Sequence, residues 1–225
     1  MVLNISAVRA VLFDLDGTLL DSLRDLACSM NTVLSRVGFP EHPVESYKLM
    51  VGDGMEMLVM RAMPPEAQKD QAQISTLKQA MEEEYGHRWS ETTLPYPGIP
   101  ELLDELVRRD ILLTVLSNKP EPFTRACVSK LLAPWAFAEV IGARHDAPRK
   151  PDPKQAIAIA RRLGIPPGEF LYLGDTGVDM KTAGGAGMTA IGVLWGFRSA
   201  DELSRDGATA LIEKPAQLLS WISPT

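Results

Sequence analysis

Cysteine is nearly absent from this 225-residue sequence: there are two, Cys28 and Cys127, with no CxxC pair and no zinc-type spacing. That argues against a disulfide framework and a thiolate metal site, and it suits a chain working in a reducing cytoplasm. Histidine is equally scarce. His42, His87 and His145 fall in no ligand or triad pattern and read as surface residues or as packing in the helical region. No apolar run approaches the ~20 residues needed to cross a bilayer. The opening MVLNISAVRAVLFDLDG lacks the basic start and small-residue cleavage site of a secretory signal. Positive charge is in deficit, with 23 Lys and Arg against 29 Asp and Glu for a net charge of −6. A nucleic-acid or anionic-membrane partner is therefore not expected, because both need a basic surface.

At ~150 residues per domain, the length allows one large domain or a medium one carrying a small companion. The run Ala10-Val11-Leu12-Phe13 is short, continuous and apolar, which predicts a strand buried on both faces. A helix follows from near Ser22, with Leu23, Leu26, Ala27, Met30, Val33, Leu34 and Val37 at helical spacing and Gly38 as its stop. The helical texture continues to about Gly86. Tyr47, Met50 and Val51 form one stripe, Met55, Leu58, Val59, Ala62 and Met63 a second, and Ile74, Leu77, Met81 and Tyr85 a third. The methionines Met50, Met55, Met57, Met60 and Met63 read as helix packing.

Beyond the Pro/Gly joint at 94–98 the texture changes to helices alternating with apolar strands. Strands are expected at 111–116, 137–141, 170–173 and 190–194. Strand–helix alternation implies a parallel sheet covered on both faces. The fold class is therefore α/β: a Rossmann-like parallel sheet core, residues 1–19 and 92–225, with an all-helical insertion at 20–91.

In open parallel sheets ligands bind at the carboxyl ends of the strands. The residues following the expected strands are Asp14 and Asp16, then Ser117, Asn118 and Lys119, then Arg149 and Lys150, then Asp175 and Thr176, with Asp179 one turn on. Carboxylates gathered at one rim repel one another unless a cation lies among them. Oxygen ligands without His or Cys indicate a hard metal, Mg²⁺ before zinc. Few carboxylates with a lysine beside them suit phosphoryl groups, whose charge the metal and lysine neutralise. Trp195, after the last expected strand, reads as packing at the core or rim.

These residues resemble the haloacid dehalogenase superfamily of phosphatases. Asp14-Leu15-Asp16-Gly17-Thr18 is similar to its first motif, Ser117 to the second, Lys150 to the third, and Gly174-Asp175-Thr176 with Asp179 to the fourth. The resemblance spans nearly the whole chain and includes a helical cap inserted after the first motif. It implies that Asp14 is a nucleophile forming an aspartyl-phosphate and that Asp16 is the general acid and base. Mg²⁺ would be held by Asp14, by the Asp16 backbone carbonyl and by Asp175. It further implies that Ser117, Asn118 and Lys150 bind phosphate, that Thr18 supports the first loop, and that Asp179 steadies a metal-bound water or the lysine. Asp16 favours phosphoryl transfer, since members that displace halide from carbon lack this second acid.

Within the superfamily, Val51-Gly52-Asp53-Gly54 with Leu58 and Arg61-Ala62, and Ser117-Asn118-Lys119-Pro120, resemble the phosphoglycolate phosphatases. The expected substrate is a small phosphorylated metabolite, 2-phosphoglycolate before others. The alternatives are another small phosphate ester phosphatase, a pyrophosphatase, a β-phosphoglucomutase-like enzyme or a non-catalytic receiver-like phospho-acceptor. Both a monomer and a dimer are compatible with the sequence. The Gly52–Gly54 turn, opening a helix, is a candidate contact for the far end of the substrate.

Overall fold

The computed structural model describes residues 8–222, so residues 1–7 and 223–225 of the expected core lie outside the described residues. The chain forms β1 (Ala10–Phe13), β2 (Leu20–Asp21), α1 (Leu23–Arg36), a 3-10 helix (Val44–Leu49), α2 (Met55–Ala62) and α3 (Gln71–Arg88). It continues with β3 (Leu94–Pro95), α4 (Ile99–Arg108), β4 (Leu112–Pro120), α5 (Glu121–Leu131), β5 (Phe137–Ala143) and α6 (Lys154–Leu163). It closes with β6 (Phe170–Gly174), α7 (Gly177–Ala186), β7 (Thr189–Val193), α8 (Ala200–Arg205) and β8 (Ala210–Ile212). No helix among the described residues is long and apolar enough to cross a membrane.

Six strands form one parallel sheet in the order β5-β4-β1-β6-β7-β8. β1 is central, and its four residues are all buried. Alternate side chains go to opposite faces. Val11 and Phe13 join Leu113, Val115, Leu171 and Leu173 beneath Leu102, Leu106 and Cys127 of α4 and α5. Ala10 and Leu12 join Phe170 and Tyr172 beneath Ile159, Ala160, Met180 and Ala183 of α6 and α7. Both faces are apolar, which is why the strand shows no polar alternation. Phe13 stands level with Val115 and with Leu173. The residues just beyond them therefore emerge along one carboxyl edge, on either side of β1, where the strand order reverses.

The helical insertion has its own apolar cluster, including Leu26, Met30, Leu34, Tyr47, Leu58, Val59, Ile74, Leu77, Met81 and Tyr85. The chain leaves the core along β2 and returns along β3, and the two pair antiparallel. Asp25, 2% exposed on α1, clamps this crossing. Its carboxylate accepts from the backbone N–H groups of Thr92 and Thr93 at 3.0 Å and from their hydroxyls at 2.5 and 2.7 Å.

Several elements depart from the sequence reading. β4 runs four residues past 116, so Ser117, Asn118 and Lys119 lie in the strand and alternate in direction. The Tyr47 stripe is one 3-10 helix ending at Leu49, not part of a longer helix. The sixth strand, β8, and the short α8 before it were not foreseen. Three residues on a sheet edge carry too little periodicity to announce themselves.

The Asp25 clamp generates a stability prediction. Burial pushes the Asp25 carboxyl upward, but the Thr92 and Thr93 donors outweigh it and hold its pKa below the ordinary value. Asp25→Ala should cost about 3 kcal/mol in urea unfolding, the expected scale for removing a multiply bonded buried carboxylate. The unfolded chain protonates Asp25 near pH ~4, and the folded chain only at lower pH. The clamp therefore contributes fully above pH ~4, and the gap between wild type and variant should narrow as the pH falls below it. A gap independent of pH would show that an ionised carboxylate is not what holds the crossing.

Candidate active site

At the carboxyl edge, Asp14 follows β1 directly and is 5% exposed. Lys150 Nζ lies 2.8 Å from Asp14 Oδ1 and 2.7 Å from Asp179 Oδ1. The Asp14 contact is ionic only, because Oδ1 is buried and accepts no hydrogen bond of proper geometry. Asp175 is fully buried beside them, accepting from Phe197 N at 2.8 Å and from the Thr18 hydroxyl at 3.3 Å. Ligand atoms of Asp14, Asp175 and Asp179 lie within 4.8 Å of one another. The backbone passes very close to this cluster. A Cβ on Gly17, whose φ is +83°, would stand 2.3 Å from Asp175 Oδ2, so both the turn and the space require glycine.

Burial raises the Asp14 pKa to about 7, with the Asp179 charge adding to the rise and Lys150 opposing it. Burial, followed by the Asp14 and Asp179 charges, holds Asp175 well above its ordinary value. Burial works against the Lys150 ammonium, but Asp14 and Asp179 outweigh it and raise its pKa well above normal. With all groups ionised, three carboxylates face one ammonium. The excess of two negative charges and the all-oxygen donors fit a hard divalent cation.

The structure brings most of the expected residues together and redistributes their work. Asp179 has both oxygens engaged, one by Lys150 and, at 3.4 Å, by Tyr172, the other by Thr176 N and Oγ1 at the start of α7. It anchors Lys150. Asp16 does not join the carboxylate cluster through its side chain, which points to Ser22 Oγ at 2.5 Å and to Lys119 Nζ at 2.9 and 3.0 Å. Ser117 is 5% exposed, and its hydroxyl accepts from Lys119 N at 3.3 Å. Thr18 holds Asp175 and so supports the loop. Trp195 packs at the rim and donates to Thr18 O.

Asn118 corrects the sequence reading. Its amide donates to Gly52 O and Lys150 O at 3.1 Å and accepts from Lys150 N at 3.0 Å. All the side chain's bonds join three backbone segments, and none is free for a phosphate oxygen. Sequence reasoning placed Lys119 at the rim and Tyr85 in a helical stripe but gave neither a role, because one lysine beside Asp14 already satisfied the chemistry. The available signal was a lysine within a strand end, a place where charge is normally excluded.

A partly open cavity of about 40 Å³ joins these residues to the insertion. Asp14, Asp16, Ser117, Asn118 and Lys119 form one wall, and Leu26, Val51, Gly52, Gly54, Met55 and Leu58 face them. Such a volume holds about three water molecules, which favours a small ligand. Asp53 is neutralised by Arg61 at 2.5 Å, away from that lining.

A family model described as "Haloacid dehalogenase-like hydrolase" matches residues 11–193. A phosphoglycolate phosphatase of Pseudomonas fluorescens is 29% identical over 214 residues, spanning 94% of this chain and 78% of that protein. A phosphoglycolate phosphatase of Mannheimia succiniciproducens is 30% identical over 199 residues, spanning 85% and 88%. A crystal structure from Lactobacillus delbrueckii subsp. bulgaricus superposes with a TM-score of 0.88 at 29% identity, covering 95% of this chain and 97% of that one.

The charge imbalance has a measurable consequence. The unfolded chain holds Asp14 at an ordinary carboxyl pKa of ~3.9, whereas the folded chain binds its proton up to about 7. Metal-free protein should therefore lose thermal stability as pH rises through that window. Mg²⁺ should restore stability at the upper end, and Asp175→Asn should weaken that restoration. A chelated protein equally stable on both sides of the window would remove the case for a cation in this cluster.

Proposed function

The chain belongs to the haloacid dehalogenase-like hydrolases, and on that premise we propose that it hydrolyses small phosphate monoesters, 2-phosphoglycolate foremost, with Mg²⁺ and an aspartyl-phosphate on Asp14. The observation that carries this reading is the position of Asp14: a buried carboxylate, next to Lys150, on the wall of a cavity that also holds Asp16 and Ser117. Asp14, Asp175 and the Asp16 backbone carbonyl would hold Mg²⁺. When bound, the cation offsets carboxylate repulsion and phosphoryl charge.

The chain's own groups do the rest. Lys150 and the Ser117 hydroxyl hold phosphoryl oxygens. An Asp14 oxygen attacks phosphorus, the ester bond breaks, and Asp16 gives its proton to the leaving alkoxide. Asp16, now a carboxylate, takes a proton from water as that water attacks the phosphoryl group. This releases phosphate and returns Asp14. Residues 20–91 act as a cap that shields the reacting groups from bulk water.

The named relatives support 2-phosphoglycolate. The Gly52–Gly54 turn faces the cavity with positive φ at both glycines, and it is the proposed contact for the substrate's far end. A pyrophosphatase or a β-phosphoglucomutase-like enzyme shares the nucleophile and is separated by which phosphate esters release phosphate. A receiver-like phospho-acceptor needs an open surface, and the insertion residues that face Asp14 across the cavity argue against it. The natural setting is a small phosphorylated metabolite in the cytoplasm.

A phosphate-release screen over small esters with Mg²⁺ should rank 2-phosphoglycolate first. Asp14→Asn should lower kcat by at least about 10³-fold, the scale of losing a nucleophile. Lys150→Ala should lower kcat/KM by about 10²- to 10³-fold. Substantial turnover by Asp14→Asn would end the mechanism. A side chain at Gly54 would meet Asn118 O and Arg149 Nη1 at 3.3 Å. Gly54→Val should raise KM for 2-phosphoglycolate more than for p-nitrophenyl phosphate, and equal losses would reduce the turn to shaping the lid.

A further inference from the structure

Lys119 is the buried cation for which the chemistry above has no use. Its side chain is 2% exposed, yet it stands inside the cavity wall. An ammonium has three N–H donors, and here each has a partner. Two meet the Asp16 oxygens at 2.9 and 3.0 Å, and the third meets the Tyr85 hydroxyl at 2.7 Å. No donor is left for a substrate carboxylate, so anything Lys119 does for the reaction passes through Asp16. Ser22, at the start of the insertion, adds a third donor to the same carboxylate.

Tyr85 makes this contact more than local. It lies on α3 of the insertion, fully buried, with its ring edge-on to Phe123 of α5 at 5.2 Å between centroids. Lys119 also sits 4.6 Å from the Tyr85 ring centre. One ammonium thus touches the acid of the catalytic core and the last turns of the helical insertion. If α3 moves away, Lys119 loses its third partner, its aromatic neighbour and its shield from water together.

We propose that Lys119 is a positioning residue that fixes the rotation of Asp16, and that Tyr85 makes this grip depend on the seated insertion. The idea rests on the phosphatase reading above. Asp16 must point at the leaving oxygen and then at the attacking water, and a carboxylate held by both oxygens has one orientation to offer. Acid–base catalysis would then be in place only when the cavity is closed.

The test separates proton-dependent from proton-independent steps. 2-Phosphoglycolate has an alkoxide leaving group that needs a proton. p-Nitrophenolate leaves without one, so its initial burst reports attack by Asp14 alone. Lys119→Met should lower kcat on 2-phosphoglycolate by about 10²-fold, the lower end of a general acid–base contribution, with KM nearly unchanged and the burst rate largely kept. Tyr85→Phe, which removes one oxygen, should lower the same kcat about tenfold, and Lys119→Arg should recover part of the loss. In an Asp16→Asn background Lys119→Met should add nothing.

A rise in KM confined to 2-phosphoglycolate would overturn the proposal and make Lys119 a reader of the substrate's carboxylate. Equal losses in burst and turnover, persisting with Asp16→Asn, would overturn it in favour of a purely structural role. Tyr85→Phe keeps the question open to measurement should the lysine variants fail to fold. Should 2-phosphoglycolate prove inert, glycerol 1-phosphate supplies the alkyl ester, so the substrate assignment can fail without taking this inference with it.

Discussion

The repulsion among Asp14, Asp175 and Asp179 is the constraint around which the site is organised. Three carboxylates with ligand atoms inside 4.8 Å, shielded from water, do not stay ionised without positive charge. Lys150 supplies one charge and is itself held in place by Asp179. Thr176 and Tyr172 in turn fix Asp179, and Phe197 N and Thr18 fix Asp175. Each acid has a neighbour that orients it, and the donor set still lacks one cation's worth of charge. In a chain of net charge −6 that shortfall is local, and a divalent cation filling it would remove the repulsion that an anionic phosphoryl group meets there.

The catalytic side of this arrangement was legible in the sequence because backbone geometry leaves a strong mark. A four-residue apolar run ending in Asp-Leu-Asp-Gly-Thr has few readings, and the parallel register then delivers Asp14, Ser117 and Asp175 to one edge. The insertion was legible for the same reason, since its helical stripes end where the strand texture begins. Asn118 was misread because a motif position gives no direction for the side chain. Its amide is spent on the backbone of Gly52 and Lys150, although the residue lines the cavity. The pairing of Lys119 with Tyr85 was missed because the two are 34 residues apart in sequence, and no local pattern ties them. β8 was missed because a short edge strand takes its stability from β7, not from its own residues.

The two parts of the molecule meet through few but directional contacts. Asp25 binds both threonines of the returning segment, Asn118 binds Gly52 O, and Arg198 binds Val51 O at 2.9 Å. Apolar packing alone would tolerate sliding, whereas these bonds set one closed arrangement. The glycines at 52 and 54 allow the insertion's turn to lie close against Thr176, Arg198, Asn118 and Arg149 of the core.

The central position of β1 bears on how the chain reaches this state. β1 is the first core strand synthesised, yet both its partners, β4 and β6, lie about a hundred residues or more downstream. The helical insertion, made next and held mainly by contacts within itself, can form while β1 still has unpaired edges. The sheet, built from long-range pairings, forms more slowly. Asp175 arrives just after β6, so Asp14 acquires its full surroundings only late in synthesis. In a nascent chain the helical insertion can therefore fold before the carboxylate cluster is complete. In that interval the exposed apolar strand is the segment most in need of protection from aggregation.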